Sequence, residues 1–186
     1  SAGQDQKPTN KDTGMQSALA PVIKTDDAID KNIPVNPTTN KNTFVVIIGN
    51  EDYQRVSKVN YALNDANTFA NYCQKTLGIP QQNIRCYRNA TYGTMLSALD
   101  EIKGIANAYH GNLDVIFYYA GHGVPSEADK NAYLLPVDAD GVRTEVCLST
   151  KRLYQTLGEL NAKNVVVFMD ACFSGAQRGE GMLASA

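Results

Sequence analysis

Three runs of apolar, largely β-branched residues constrain the fold of this chain most strongly. They read TFVVIIGN, VIFYYAGHG and VVVFMDACFSG, and each ends in small or reactive residues. A short continuous apolar run is typical of a strand that is buried on both of its faces. Segments with helical spacing separate the three runs. This alternation predicts a sheet whose strands are joined by crossover helices.

The segments between the runs predict the remaining elements. Apolar residues spaced for one helical face predict helices over 62–77 and 94–109, and a third helix begins at Ser149 or Thr150. The sequences NIRCYRN and AYLLPVDAD predict two shorter strands. The order of the elements predicts an α/β fold, a three-layer α/β/α sandwich with a mostly parallel sheet.

Composition divides the chain into three parts. Residues 1–42 are rich in Asn, Thr, Lys, Asp and Pro and have no sustained period, so they predict a polar leader or a removable pro-segment that covers a site. One domain is expected over 43–175. Residues 176–186 are polar and glycine-rich, which predicts the start of a flexible linker.

Charge and hydropathy exclude two classes of partner. The net charge is −2 and no Lys/Arg-rich run stands out, so no nucleic-acid partner is expected. No window is long and apolar enough to span a membrane. No signal peptide is visible, but the chain begins without Met, so a leader could already have been removed. A periplasmic or secreted location is slightly favoured over a cytoplasmic one.

The predicted strand ends bring together a histidine and a cysteine. Ligands and reacting groups gather at the carboxyl ends of parallel strands. His122 and Cys172 are expected there, in the loops that follow their strands. A cysteine nucleophile needs a nearby base. The glycines beside His122 allow a tight turn and close substrate approach, and Gly123 can offer a backbone N–H to an oxyanion. The other histidine, His110, ends a predicted helix, which is typical of a surface residue.

The three other cysteines are weaker candidates. Cys73 and Cys86 fall on predicted apolar faces or strands, so they are expected to be buried, inert thiols. Cys147 lies in a polar connection and has no histidine near it in the sequence.

The spacing of the two motifs indicates a family. The sequences YAGHG and DACFSG place His122 and Cys172 50 residues apart, as in caspases. Over roughly 43–175, the chain resembles the large-subunit portion of caspase-like cysteine peptidases, above all metacaspases and bacterial caspase homologues. The resemblance implies a caspase–haemoglobinase-like fold and a Cys–His dyad. It also implies an oxyanion hole formed by the backbone N–H groups of Gly123 and Cys172.

Two acids suggest the specificity. Asp170 lies two positions before Cys172 and should face the same side of its strand. Asp65, in LNDA, matches an Asn–Asp pair of metacaspases in which the Asp lines the S1 pocket. Paired acids favour Arg or Lys at P1. On sequence alone, a first-turn acid that complements the helix dipole explains Asp65 equally well.

Neither a cofactor nor a metal site is predicted. Calcium-dependent metacaspases use an acidic cluster, whereas Asp129, Asp138 and Asp140 form no dense acidic run and are expected in turns. Ala120 stands where many metacaspases have Ser, so the pocket is expected to differ in detail.

The resemblance also implies a partner segment. In the family a small-subunit portion follows the catalytic cysteine and adds strands, and a sheet that ends at the cysteine strand would leave an apolar edge unpaired. A small-subunit segment or a second chain is therefore expected to complete the sheet. Arg178 is a possible self-processing site. The alternatives are that it is an ordinary loop arginine and that cleavage falls beyond Ala186. Lys24, Lys31 and Lys41 are weaker candidates.

The sequence thus predicts a cysteine endopeptidase that acts on protein or peptide substrates after Arg or Lys and is activated by self-processing. The alternative is a catalytically silent caspase-fold scaffold or binding module. An α/β nucleotide-binding domain ranks last, because the chain has neither G-x-G-x-x-G after its first strand nor G-x-x-x-x-G-K-[ST].

Overall fold

The computed structural model describes residues 33–35 and 39–173, which contain six strands and three helices. The strands are β1 Thr43–Gly49, β2 Ile84–Arg88, β3 Asp114–Ser126, β4 Asn131–Leu134, β5 Leu148–Ser149 and β6 Asn164–Cys172. The helices are α1 Ala62–Lys75, α2 Tyr92–Ala108 and α3 Thr150–Gly158. The predictions for 1–32 and 176–186, including Lys24, Lys31 and Arg178, lie outside the described residues.

Strand β3 organises the sheet. Strands β1 and β6 run parallel to β3, and β2 runs parallel to β1. The end of β3 pairs with β4 in the antiparallel sense, and β4 pairs in the same sense with β5. The sheet is therefore mixed. The predicted α/β class is confirmed, while the finer description as a three-layer, mostly parallel sandwich stays a prediction.

Two apolar clusters pack against opposite sides of the strands. Val45 and Ile47 of β1 pack with α1, whereas Val46 and Ile48 belong to a cluster that contains residues of α2 and α3. Successive strand residues point to opposite faces, so the continuous apolar run of β1 serves both clusters. The same alternation places the even-numbered residues of β3, including Tyr118 and Ala120, on the α1 side.

The strands extend further than the sequence predicts. His122 and Cys172 were both expected in loops past their strands, but His122 lies inside β3 and Cys172 is the last residue of β6. The expectation is wrong because apolarity indicates burial, whereas strand structure follows backbone pairing. Here the β3–β6 ladder continues through the polar ends as far as the pair His122 and Cys172.

Capping side chains set the first residues of two helices. Helix α2 begins at Tyr92, two residues before the predicted start, because the Thr91 hydroxyl accepts a hydrogen bond from the Thr94 N–H at 3.2 Å. The predicted start of α3 at Ser149 or Thr150 resolves to Ser149 as the cap, with its hydroxyl accepting from the Arg152 N–H at 3.0 Å. Within the described part of the chain, no helix is long and apolar enough to cross a membrane.

Strand β6 forms an edge of the described sheet. It pairs with β3 and with no other described strand. Val166, in the middle of β6, is 41 % exposed although it is apolar. Within residues 33–35 and 39–173, β6 is therefore an edge strand.

Candidate active site

His122 and Cys172 are direct neighbours across two parallel strands. They are the last registered pair of the β3–β6 ladder, and neighbouring strands lie about 4.8 Å apart. Both have even numbers and therefore face the α1 side of the sheet. Cys172 is exposed, whereas His122 is 5 % exposed. The sheet thus brings together a buried base and an accessible thiol.

The imidazole of His122 is oriented by a backbone carbonyl. Its Nε2 lies 2.7 Å from the Ser57 carbonyl oxygen. A carbonyl can only accept, so Nε2 carries the hydrogen and Nδ1 is unprotonated in the neutral ring. Nδ1 is buried and has no hydrogen-bond partner among the described residues.

Burial keeps the His122 ring neutral at neutral pH. Burial lowers the pKa of His122 below its ordinary value of 6.5, and the nearby backbone of Ser57 and of Cys172 opposes that change less strongly. A neutral imidazole with a bare Nδ1 can accept a proton, which is what a general base beside a thiol requires.

Two tyrosines that the sequence analysis missed hold the backbone of His122. The Tyr53 hydroxyl accepts a hydrogen bond from the His122 N–H at 2.8 Å, and the Tyr119 hydroxyl donates to the His122 carbonyl at 2.6 Å. The two hydroxyl oxygens are 3.4 Å apart. The Tyr53 ring also packs on the imidazole, with 4.7 Å between ring centroids. The backbone N–H, the backbone carbonyl and the ring of His122 are therefore each held by a neighbouring tyrosine.

The two glycines beside His122 are explained by packing. A Cβ on Gly121 would lie 2.7 Å from both the Tyr119 and the Tyr53 hydroxyl oxygens. A Cβ on Gly123 would lie 2.5 Å from the Phe173 ring. The sequence predicts a tight turn and close substrate approach at these glycines, but they lie in a continuous strand and leave room for aromatic side chains. The oxyanion role of the Gly123 and Cys172 N–H groups stays a prediction.

Helix α1 and strand β6 bring the two predicted acids together. Burial raises the pKa of Asp65 to about 6, with further contributions from the charge of Asp170, a hydrogen bond between the two carboxyl groups, and the charge of Glu51. Burial raises the pKa of Tyr118, and the charges of Asp170 and Asp65 raise it further. A cluster of carboxyl groups therefore lies two residues along β6 from Cys172. Glu51 and Tyr118 were not identified from the sequence.

The loop between β1 and α1, residues 50–61, presents Tyr53 and Ser57 to His122. Its start is fixed by Asn89, whose side-chain oxygen accepts hydrogen bonds from the N–H groups of Glu51 at 3.1 Å and Asp52 at 3.0 Å. Lys58 lies 3.5 Å from a Glu51 oxygen and 3.1 Å from an Asp52 oxygen. We call this segment the β1–α1 loop.

The other cysteines differ from Cys172 in their environment. Cys73 and Cys147 are buried, and burial raises the pKa of each thiol to about 12. Cys86 is half-buried, and burial raises its pKa too. Only a thiolate is a strong nucleophile, so these three thiols are poorly suited to react. His110 is exposed at the turn after α2, as the sequence predicted.

The remaining acids accept hydrogen bonds from backbone N–H groups. Asp129 accepts from the Asn131 N–H and from the Tyr133 hydroxyl, and Asp140 accepts from the Val142 N–H, which are the turn contacts expected of such residues. Asp138 instead accepts from the N–H of Tyr92, the first residue of α2. Across residues 33–35 and 39–173, no group of three or more His, Cys, Asp or Glu side chains could hold a metal ion.

An α/β sheet that places a histidine base beside an exposed cysteine has the form of a cysteine hydrolase site. The comparison with known families agrees with that class. The chain belongs to the caspase-domain family, Peptidase C14, whose model matches residues 42–185. The predicted relationship to caspase-like cysteine peptidases is thereby confirmed. Among curated proteins, none matches this chain.

Proposed function

We propose that this chain is a cysteine endopeptidase in which Cys172 and His122 form the catalytic dyad. The observation that carries the proposal is the strand register, which pairs the two residues directly at the end of the ladder between β3 and β6. The Ser57 carbonyl supports the assignment, because it holds the hydrogen of His122 on Nε2 and leaves Nδ1 as the basic nitrogen. Membership of the caspase-domain family supports cysteine peptidase chemistry in general.

The proposed reaction begins at the Cys172 thiol. His122 accepts the thiol proton as the sulfur attacks the scissile carbonyl carbon, which gives a tetrahedral oxyanion. The backbone N–H groups of Gly123 and Cys172 stabilise that oxyanion. The protonated His122 then gives its proton to the leaving amine, and a thioester remains. Water activated by His122 hydrolyses the thioester and restores the thiol.

Asp65 and Asp170 supply the proposed S1 specificity. Both carboxyl groups lie on the α1 side of the sheet near Cys172, and their mutual repulsion favours a cation between them. An Arg or Lys side chain at P1 meets that need, and the planar guanidinium of Arg suits two carboxylates particularly well.

We further propose that a small-subunit segment adds to β6 and that self-processing precedes activity. The position of β6 at the edge of the sheet that residues 33–35 and 39–173 form supports the first proposal. Arg178 is the proposed processing site, since a basic P1 residue there would suit the acidic pocket. Intact-mass measurement of the wild type and of Cys172→Ala would show processing in the wild type alone.

Fluorogenic peptides that end in Arg, Lys or Asp test the central proposal. We expect the processed wild type to cleave after Arg or Lys, Cys172→Ala to be inactive, and Cys86→Ala, a half-buried thiol away from the site, to retain activity. Hydrolysis of no peptide by the processed wild type would favour the silent-scaffold alternative. Preference for Asp would overturn the acidic pocket but leave the dyad intact.

A further inference from the structure

The backbone of His122 lies beyond the end of its neighbouring strand. Strand β1 ends at Gly49, which pairs with Ala120, and the next residue, Asn50, makes the last backbone contact through its N–H to the Ala120 carbonyl at 2.8 Å. Strand β3 continues for six more residues. The N–H and C=O of His122 therefore have no β1 residue to pair with, and a buried backbone group without a partner is costly.

Two tyrosine hydroxyls bond to the His122 N–H and C=O, beyond the last residue of β1. The His122 N–H donates to Tyr53, and Tyr119 donates to the His122 carbonyl, which also accepts from the Leu135 N–H at 3.1 Å. Because Tyr119 uses its hydrogen on that carbonyl, the hydrogen of Tyr53 is directed to the Tyr119 oxygen at 3.4 Å. These bonds form a closed ring that runs through the peptide groups of His122.

The same loop holds both the backbone and the ring of His122. Tyr53 contacts the His122 N–H and the imidazole face, and Ser57, four residues later, accepts from Nε2. A displacement of the β1–α1 loop would thus move the base relative to Cys172. Gly121 is needed for this arrangement, because a Cβ there would occupy the point where the two hydroxyls meet.

We propose that Tyr53 is a positioning residue, which fixes the base His122 opposite Cys172 through its hydroxyl and its ring. This inference rests on the proposed Cys–His chemistry and assigns a role that neither the family match nor the sequence motifs assign. In this role Tyr53 acts through His122. Its loss should therefore lower kcat and the reactivity of Cys172, while KM stays unchanged.

Tyr53→Phe is the sharpest test, because it removes one oxygen atom and keeps the ring. Tyr87→Phe is the matched control, since the Tyr87 hydroxyl contacts Glu101 on the surface, away from the site. We expect Tyr53→Phe to lower kcat by about tenfold with KM unchanged, a smaller loss than the roughly hundredfold that a 1 Å misplacement can cause, because the ring still packs on His122. Tyr87→Phe should match the wild type.

A second readout separates this proposal from the proposed function. The rate of Cys172 alkylation by iodoacetamide, followed by peptide mapping between pH 5 and 9, reports the effect of His122 on the thiol without any peptide substrate. We expect the profile of Tyr53→Phe to move from that of the wild type toward that of His122→Ala. If the wild type cleaves no peptide, the alkylation profile alone decides. Identical profiles for Tyr53→Phe and the wild type would overturn the positioning role.

Gly121→Ala provides an independent variant if Tyr53→Phe folds poorly. Its methyl group would force the two hydroxyls apart, so we expect the same displaced alkylation profile. In a triple variant with Tyr53→Phe and Tyr119→Phe, both hydroxyl oxygens that the Gly121→Ala methyl group would meet are absent. The change in the alkylation profile of the triple variant should therefore be smaller than the sum of the three single changes. Strictly additive effects would show that the hydroxyls and Gly121 act separately, which contradicts the proposed ring.

Discussion

The raised pKa of Asp65 has one consequence for stability and an opposite one for the S1 role that we propose for this residue. Burial, Asp170 and Glu51 raise its pKa to about 6 from the ordinary 3.8. A raised pKa means that the folded chain holds the proton more tightly than the unfolded chain does. The free energy of unfolding therefore falls as pH rises from about 4 to about 6 and stays lowered above that window.

Asp65→Asn should separate the two consequences. Because the amide carries no charge, we expect this variant to be more stable than the wild type at pH 8, with little difference at pH 4. Urea unfolding of the wild type and of Asp65→Asn at pH 8 and at pH 4 measures these differences in the free energy of unfolding. In peptide assays, the wild-type KM for Arg substrates should rise as pH falls through about 6. Asp65→Asn should bind these substrates more weakly, and its KM should show no such rise near pH 6. Equal stability of the two proteins at pH 8 would contradict the assignment.

The capping of α3 gives a prediction at the scale of single elements. Ser149→Ala removes the hydroxyl that accepts from the Arg152 N–H, so we expect a loss of about 1 kcal/mol in the free energy of unfolding. Peptidase activity should not change, because α3 packs in the cluster on the sheet face opposite His122 and Cys172.

A second serine-to-alanine substitution, at a helix position that caps nothing, is the control for that experiment. Ser97 is exposed within α2, where replacement by Ala removes no cap. Ser97→Ala should leave the free energy of unfolding unchanged or slightly raised. A loss from Ser149→Ala no larger than that from Ser97→Ala would show that the cap contributes nothing.

The elements also show which parts of the site the sequence could predict. Strand order and the rule that reacting groups gather at carboxyl ends were enough to bring His122 near Cys172. They also placed Asp170 beside Cys172. Tyr53 and Ser57 could not be found in this way, because their contacts depend on the path of the β1–α1 loop. Ser57 acts through its backbone carbonyl, which any residue type would supply. Tyr119 gave a weak signal, since a buried tyrosine hydroxyl requires a partner.

At the scale of the whole molecule, the exposed edge strand determines how the chain meets its neighbours. Val166 on β6 is 41 % exposed and lines a groove of about 320 Å³ with Ile79 and Val115. An apolar edge with unpaired backbone groups promotes association between chains. We therefore expect the isolated 186-residue chain to self-associate.

A charge placed on that edge tests this expectation. Val166→Lys should reduce self-association measured by light scattering, since edge lysines oppose strand pairing. Val142→Lys is the control, because Val142 is 67 % exposed but lies in the segment between β4 and β5. A wild-type chain that is monomeric at all concentrations would show that β6 is not an open edge in solution.

Because Asp170 and Cys172 lie on the same strand, β6 fixes the distance between them. Two residues of extended backbone separate them by about 6.6 Å, and an extended strand cannot be compressed to suit a shorter substrate group. In the proposed site, a side chain at P1 would span that fixed length between the bond being cut and Asp170. Selection by this site would then depend on the reach of the cation as well as on its charge, which distinguishes arginine and lysine from any shorter amine.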